Sequence, residues 1–206
     1  MKNKNIGMLV VISAPAGSGK GTVIKQILEK GENFVYSVSA TTRRPREGEQ
    51  NGKEYYFLTR GEFEKNIAEN KMLEYAEYCG NYYGTPLEKV QEHLENGKNV
   101  ILEIEVQGAL KVKSKMPDAV MIFILPPSYK ILRERLINRG TEDMNTIEKR
   151  LLQAKEEIAA ISEYEYIVVN NTGESEKCAE EILNIVKSQK HKYKYAKSFL
   201  DDFFNE

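Results

Sequence analysis

Several things are scarce in this 206-residue chain. There are two cysteines, Cys79 and Cys178, without metal-ligand spacing and too few for a disulfide framework. A reduced, cytoplasmic compartment is the expectation. Glycine (14) is not enriched and proline (6) is sparse, which excludes collagen-like and low-complexity chains. No apolar run exceeds Ala119–Leu125, far short of the roughly 18 residues of a membrane helix, so no membrane is expected as a partner. A dominant charge is also missing. Thirty basic against 31 acidic residues leave a net −1, which argues against nucleic acid held by bulk charge. The only histidines, His93 and His191, fall on expected helices without catalytic partners and read as surface residues.

What is present is a globular composition: 41% hydrophobic, 30% charged, enough chain for one sizeable α/β domain. The N-terminus mimics a secretory leader, with basic Met1 to Asn5, apolar Ile6 to Ile12 and a small-x-small Ala14-Pro15-Ala16. Cleavage after Ala16 would split the motif that follows, so the leader reading is set aside.

Short apolar runs alternate with amphipathic segments. Strands are expected at 7–13, 34–38, 99–104, 119–125 and 166–169, and helices at 22–31, 86–96, 107–115, 128–138, 146–164 and 175–190. This alternation predicts a parallel central sheet with helices on both faces, a three-layer α/β/α arrangement. Residues 41–83 break the rhythm. They are polar, aromatic and turn-rich, with short strands expected at 55–58 and 72–78, and read as an inserted lobe. Arg139 to Asn145 is a polar turn between two helices, placed like a lid tip. The tail 191–206 is expected to form a terminal helix with a frayed end.

Ser13-Ala14-Pro15-Ala16-Gly17-Ser18-Gly19-Lys20-Gly21-Thr22 follows a strand and opens a helix, the context of a phosphate-binding loop (P-loop). Its glycines let successive backbone N–H groups point inward, the helix N-terminus adds positive potential, and Lys20 brings a full charge to the β/γ-phosphates. Two positions depart from G-x-x-x-x-G-K-[ST]: Ala14 replaces the first Gly, and Gly21 displaces the hydroxyl to Thr22. The plain alternative is a glycine-rich turn capping a helix, and strand, Gly-x-Gly-Lys and helix together speak against it.

Arginine is sorted in a way lysine is not. Seven of eight arginines lie in two windows: Arg43, Arg44 and Arg46 in the lobe, and Arg133, Arg135, Arg139 and Arg150 flanking the lid turn. Planar guanidinium forks suit phosphate oxygens. For Arg44, Arg60 and Arg133 surface ion pairing is the simpler reading. Loop, lobe and lid thus offer three phosphate-binding elements, suited to phosphoryl transfer from a triphosphate to a phosphorylated acceptor. An acceptor phosphate is already anionic near neutral pH, so no general base is required.

The strings Thr41-Thr42-Arg43-Arg44-Pro45-Arg46, Gly48-Glu49-Gln50-Asn51-Gly52-Lys53-Glu54-Tyr55-Tyr56-Phe57, Gly80-Asn81-Tyr82-Tyr83-Gly84-Thr85, Leu102-Glu103-Ile104-Glu105 and Arg135 with Arg139-Gly140, in this order, resemble the guanylate kinase family along nearly the whole chain. The resemblance implies a P-loop NTPase fold and reversible transfer of the ATP γ-phosphoryl group to GMP, with dGMP acceptance left open. It implies a single domain over 1–206: core 1–38, 86–127 and 165–206, GMP-binding lobe 39–85, lid region 128–164. Ala14, Pro15, Ala16, Gly17, Ser18, Gly19, Lys20, Gly21, Thr22 and Asn170 would bind ATP. Arg43, Arg46, Tyr55 and Tyr83 would hold the GMP phosphate, and Ser39, Glu74, Thr85 and Glu103 would read the base. Lys20, Arg43, Arg135, Arg139 and Arg150 would stabilise the transferring group. Mg2+ would be carried mainly by ATP phosphates and water, with Thr22 or Glu105 as its candidates in the chain. ATP and GMP are the implied partners, and a homo-oligomer is left open. Glu103 and Glu105 stand where many relatives carry Asp, and Asn171 follows Asn170 where Asp is common.

The chemistry of guanine agrees. It shows donors at N1 and N2 where adenine does not, and an ionised carboxylate only accepts, so Glu74 and Glu103 would favour guanine. Two other readings exist: a non-catalytic module binding phosphorylated peptides at the GMP site, which needs no P-loop, and a kinase for another phosphorylated acceptor such as a sugar phosphate, against which Glu74 with Thr85 argues.

Overall fold

A computed structural model describes residues 7–140, 142–192 and 203. In chain order its elements are β1 (Leu9–Ser13), α1 (Lys20–Lys30), β2 (Phe34–Tyr36), β3 (Ala40–Thr41), β4 (Tyr56–Phe57), α2 (Arg60–Ala68), β5 (Met72–Tyr78), β6 (Asn81–Pro86), α3 (Leu87–Glu95), β7 (Asn99–Glu103), α4 (Val106–Lys115), β8 (Val120–Leu125), α5 (Tyr129–Asn138), α6 (Met144–Ala159), a 3-10 turn at Ile161–Glu163, β9 (Tyr166–Val169) and α7 (Ser175–Gln189).

Period-two alternation builds the main sheet. Leu9 and Val11 of β1 join Val100 and Leu102 of β7 and Met121 and Phe123 of β8, under Val90 and Leu94 of α3 and Ala109 and Val112 of α4. Val10 and Ile12 point the other way, with Ile101, Ile122, Ile124 and Val168, against Val23 and Ile27 of α1 and Ala179 and Ile182 of α7. Both faces are therefore apolar and covered, as parallel sheets require. The strands lie in the order β2-β7-β1-β8-β9, all parallel. The order reverses at β1, which opens a crevice at its C-terminal end. This is the expected three-layer P-loop NTPase architecture.

The second sheet has the order β4-β3-β6-β5, with β3 pairing in parallel to β4 and antiparallel to β6. One face, carrying Ala40 and Met72 with Tyr56, Tyr75 and Tyr82, packs on Phe63 of α2. An irregularity between Met72 and Glu74 shifts the register. Such a bulge lets Met72 serve the α2 face while Glu74 turns to the opposite one. Lysines of α4 tie this sheet to the core: Lys111 and Lys115 donate to the carbonyls of Tyr75 and Met72. The α5–α6 hairpin has its own small core of Leu132, Leu136, Ile147, Leu151 and Ala154.

Several expected boundaries move. The helix expected to run from 146 to 164 starts at Met144, capped by the Asp143 carboxylate on the Thr146 N–H, and stops at Ala159. A 3-10 turn then brings Tyr164 into the core, edge-on to Phe123. The strand expected at 34–38 ends at Tyr36, and the first helix begins at Lys20, two residues early. Helix α2 was not expected, although its Thr59-x-x-Glu62 spacing forms a capping box, a signal present in the sequence. The expected terminal helix falls outside the described residues, apart from 191, 192 and 203. No helix among the described residues is long and apolar enough to cross a membrane.

Candidate nucleotide-binding site

The glycine-rich loop leaves β1 at the crevice. Ser13 is fully buried and donates its hydroxyl to the Ile104 carbonyl at 2.8 Å, which pins the loop entrance to the end of β7. Gly17 and Gly19 take φ of 91° and 82°, a region other residues avoid. A Cβ on Gly19 would stand 2.5 Å from the Asn170 amide nitrogen, and one on Gly17 3.1 Å from Leu136. Gly21 is different, because a Cβ there would meet nothing within 4 Å. Helix α1 starts at Lys20 without a side-chain cap, so its first-turn N–H groups face the crevice unclaimed by a capping side chain.

Two side chains brace the loop. Asn170, 4% exposed, donates its amide to the Ser18 carbonyl at 2.8 Å. Arg135 donates to the Asn170 carbonyl at 2.9 Å, the Thr172 hydroxyl at 3.2 Å and, more distantly, the Ser18 carbonyl at 3.5 Å. Both residues were expected to touch ATP directly or stabilise the transferring group. In this structure their polar atoms engage the loop's own backbone and Thr172. Asn170 Oδ1 and Ser18 Oγ are buried with no hydrogen-bond partner among the described residues.

Across the crevice, Glu103 ends β7 beside the loop, in register with Ile12. Its Oε1 lies 3.7 Å from Lys20 Nζ, and its Oε2 accepts from the Tyr36 hydroxyl at 3.2 Å. Tyr36 was not singled out from the sequence. It keeps 42% of its surface exposed, yet burial around the hydroxyl, then the Glu103 charge, holds the phenol protonated well above its usual range. Glu157 of α6 was missed as well. Burial raises its carboxyl, Gln153 donates to it, and the charges of Glu105 and Lys20 act on it in opposite directions. Glu105, at the start of α4, is exposed.

The second sheet turns its other face to this region. Glu74 and Thr85 are cross-strand neighbours, as are Ala76 and Tyr83, so side-chain alternation puts all four on one face. Glu74 is 8% exposed, and the Thr85 hydroxyl donates to its Oε1 at 2.7 Å. Arg43 follows β3 into the same neighbourhood. Its guanidinium grips both Glu49 oxygens, at 2.8 and 3.0 Å, and lies 5.5 Å from the Tyr55 ring centre and 5.9 Å from that of Phe57. Tyr55 meets Tyr83 edge-on at 6.0 Å. Glu49 also accepts the Arg46 N–H at 2.7 Å, while the residue Arg46 is exposed. Arg43, then the Arg46 N–H, holds the Glu49 carboxyl below the usual range. Ser39 is half-buried, and its carbonyl receives the Tyr56 N–H. Glu49 and Phe57 were missed as site residues. Glu49 stands three residues past Arg46, a spacing that could have marked it.

On the α5–α6 hairpin, Arg150 is paired with Glu142 and Arg133 with Glu148. Arg139 ends α5, exposed and with no side-chain partner among the described residues. Arg60 is held by Glu64, Glu77 and Tyr82, the surface pairing expected of it. No group of three His, Cys, Asp or Glu among the described residues could hold a metal. A separate cavity of about 610 Å³, lined by Lys30, Phe34 and Lys187 among others, opens at the N-terminal ends of the strands, away from the loop.

Sheet order, loop and helix together define the class of P-loop NTPases. Within it, the guanylate kinase family model matches residues 7–189. Curated guanylate kinases are close in sequence: 54% identity with that of Lactococcus lactis, over 90% of each chain, and 57% with that of Streptococcus pneumoniae, over 80% of each. A guanylate kinase crystal structure from Anaplasma phagocytophilum superposes with a TM-score of 0.69 at 37% identity, covering 92% of this chain and 89% of that one. The chain belongs to the guanylate kinase family.

Proposed function

We propose that the chain moves the γ-phosphoryl group of ATP to GMP, reversibly, with the loop 13–22 as donor site and the Glu74 face of the second sheet as acceptor site. One observation carries the residue-level reading. The lysine-bearing loop and a guanidinium set among Tyr55, Phe57 and Tyr83 occur in one chain, with the buried Glu74–Thr85 pair on the face that bears Tyr83.

In this reading loop N–H groups and Lys20 hold the donor phosphates. Arg43, Arg46, Tyr55 and Tyr83 hold the acceptor phosphate, which must share or displace Glu49 on the Arg43 fork. Glu74 and Glu103 accept the guanine N1 and N2 hydrogens. The Thr85 hydroxyl has one proton, now given to Glu74, so donating to O6 requires it to turn as the base takes its place. Ser39 adds a second hydroxyl. Arg139 and Arg150, released from Glu142, meet the charge spread over the transferring group from the α5–α6 lid, while Arg135 and Asn170 keep the loop in shape. Deprotonation of the acceptor is unnecessary, because its phosphate oxygen is already an anion.

Mg2+, when bound with the triphosphate, would supply positive charge against the phosphate oxygens. The open space at Gly21 suits a hydrated ion, and Thr22 and Glu105 are the residues of this chain suited to holding it. Two free cysteines and the need for ATP and GMP support a reducing, nucleotide-rich compartment such as the cytoplasm.

A coupled ADP-release assay with GMP, AMP and a sugar phosphate as acceptors tests the reading. The protein should turn over GMP. Lys20→Ala and Arg43→Ala should each reduce the rate by about a hundred- to a thousandfold, the range for losing one transition-state donor, with the fold intact by circular dichroism. Full activity in both variants overturns the assignment, and turnover of the sugar phosphate alone moves it to another acceptor.

A further inference from the structure

Three glycines among the described residues lie inside helices: Gly21, Gly61 and Gly108. Glycine is a poor helix former, and none of the three has a backbone that other residues avoid. At Gly21 and Gly61 a Cβ would meet nothing within 4 Å, whereas at Gly108 it would stand 3.1 Å from Glu74 Oε2 and 3.6 Å from Glu74 Cδ. We propose that Gly108 is a specificity-determining position: the bare backbone there seats the Glu74 carboxylate and fixes where it meets the acceptor base. This rests on the reading of the Glu74 face as the acceptor site.

The setting leaves Glu74 no retreat. Gly108 lies in the first turn of α4, and Lys111 and Lys115 follow it on the same helix face. Their ammonium groups hold the Tyr75 and Met72 carbonyls at 2.9 and 2.8 Å, so β5 is tied to α4 on both sides of Glu74. Behind it, β6 crowds the Glu74 carbonyl oxygen at Gly84. The Thr85 hydroxyl holds Oε1 at 2.7 Å, which leaves Oε2 as the oxygen against Gly108. An added methyl at 108 must therefore be accommodated by the buried carboxylate itself.

The consequence belongs to recognition. Guanine offers N–H donors where adenine does not, and a carboxylate displaced by a few tenths of an ångström loses its alignment with them. The acceptor-phosphate set of Arg43, Arg46, Tyr55 and Tyr83 is not displaced, and neither is the loop. The loss therefore falls on guanine affinity and on selectivity against adenine, not on phosphoryl transfer once the acceptor is bound. Gly108 acts as a positioning residue, because it touches Glu74 and not the reacting atoms.

Steady-state kinetics with GMP and AMP, joined to calorimetry with GMP and with a non-hydrolysable ATP analogue and Mg2+, test this. Gly108→Ala should raise both KM and Kd for GMP by about three- to tenfold, as suits a shift of a fraction of an ångström. Its kcat and its affinity for the analogue should stay at the parent's values, and its selectivity for GMP over AMP should fall. Gly61→Ala, the control for an alanine placed in a helix, should alter none of these. Glu74→Asp draws the carboxylate back by one methylene and should weaken GMP binding by itself. Combined with Gly108→Ala it should lose clearly less than the product of the two single losses, because the shorter side chain clears the added methyl. A merely structural role for Gly108 would lower kcat or analogue affinity as well and leave the two changes additive. Unchanged GMP affinity in Gly108→Ala overturns the proposal, and so does additivity in the double variant. Should Gly108→Ala not fold, adding Glu74→Asp should restore the fold, and its failure to do so is equally decisive against the proposal. A parent that binds GMP while Gly108→Ala matches it sinks the role of Gly108 alone. A parent that binds no GMP sinks the functional reading with it.

Discussion

In the proposed site, Glu74 would set stability against recognition. Burial pushes its carboxyl above the usual carboxylate range, opposed by the Thr85 hydrogen bond and by the charges of Lys111 and Lys115. A carboxyl whose pKa is higher folded than unfolded weakens the fold once ionised. The loss is absent below the unfolded value, near 4.3, and complete above the folded one. Glu74→Gln should therefore raise the unfolding midpoint of the nucleotide-free protein at pH 7, and this advantage should fade as pH falls toward about 4. The same variant removes a charged acceptor from guanine. Its kcat/KM for GMP should drop by about ten- to a hundredfold, the worth of one charge-assisted hydrogen bond, with less effect on AMP. Thermal melts across pH and acceptor kinetics measure the two effects, and a midpoint lowered at pH 7 or unchanged selectivity contradicts them. Glu74 was singled out in the sequence through the family resemblance, as an ionised acceptor suited to guanine. Tyr36 was not, since it matters through Glu103, 67 residues away, and Glu49 was overlooked although its place three residues past Arg46 is a local signal.

At the scale of elements, β6 reads poorly as a strand because Asn81, Gly84 and Pro86 are turn residues. It is nevertheless central, between β3 and β5. Glycine is accepted there because the neighbouring chain approaches closely. A Cβ on Gly84 would lie 2.6 Å from the Glu74 carbonyl oxygen, 2.8 Å from Tyr75 Cβ and 2.9 Å from Met72 Cε. Gly84→Ala must push β5 away. It should destabilise the protein by about 1–3 kcal/mol, as overpacking does, and weaken GMP binding more than ATP binding, because Glu74 moves with β5 while the loop stays. Urea unfolding and separate titrations check this, and a neutral Gly84→Ala with unaltered GMP affinity refutes it. The main sheet was readable because its strands are continuous apolar runs and its helices have strong apolar stripes. The second sheet was only partly so. Strands of two residues such as β3 and β4 carry no periodicity, and their pairing depends on contacts distant in sequence. The loop was legible as a glycine-rich turn between strand and helix, although α1 begins two residues earlier than expected. The bracing of that loop by Arg135 and Asn170 was not, because sequence spacing marks a guanidinium or an amide as available without saying which carbonyl it faces.

Taken as a whole, the molecule has one large double-sided core and two satellites. The clusters around Phe63 and around Leu136 and Leu151 are separate from the clusters on the main sheet. Elements with their own apolar cores can move as units without opening the main one. The cations of the site also hold internal partners: Arg43 has Glu49, Arg150 has Glu142, and Lys20 has Glu103. On the proposed reading, incoming phosphates would compete for these cations, and binding would supply the drive to rearrange the satellites around the crevice. Closure of that kind would exclude water from the transferring group, so that ATP is not simply hydrolysed. The radius of gyration, about 17 Å for a compact chain of this length, should fall measurably in small-angle scattering when GMP and a non-hydrolysable ATP analogue are both bound, and less with either alone. Slow ATP hydrolysis without GMP should accompany the open form. A scattering profile unchanged by both ligands together would show that the satellites are fixed, and that water must be kept from the phosphoryl group by the loop alone.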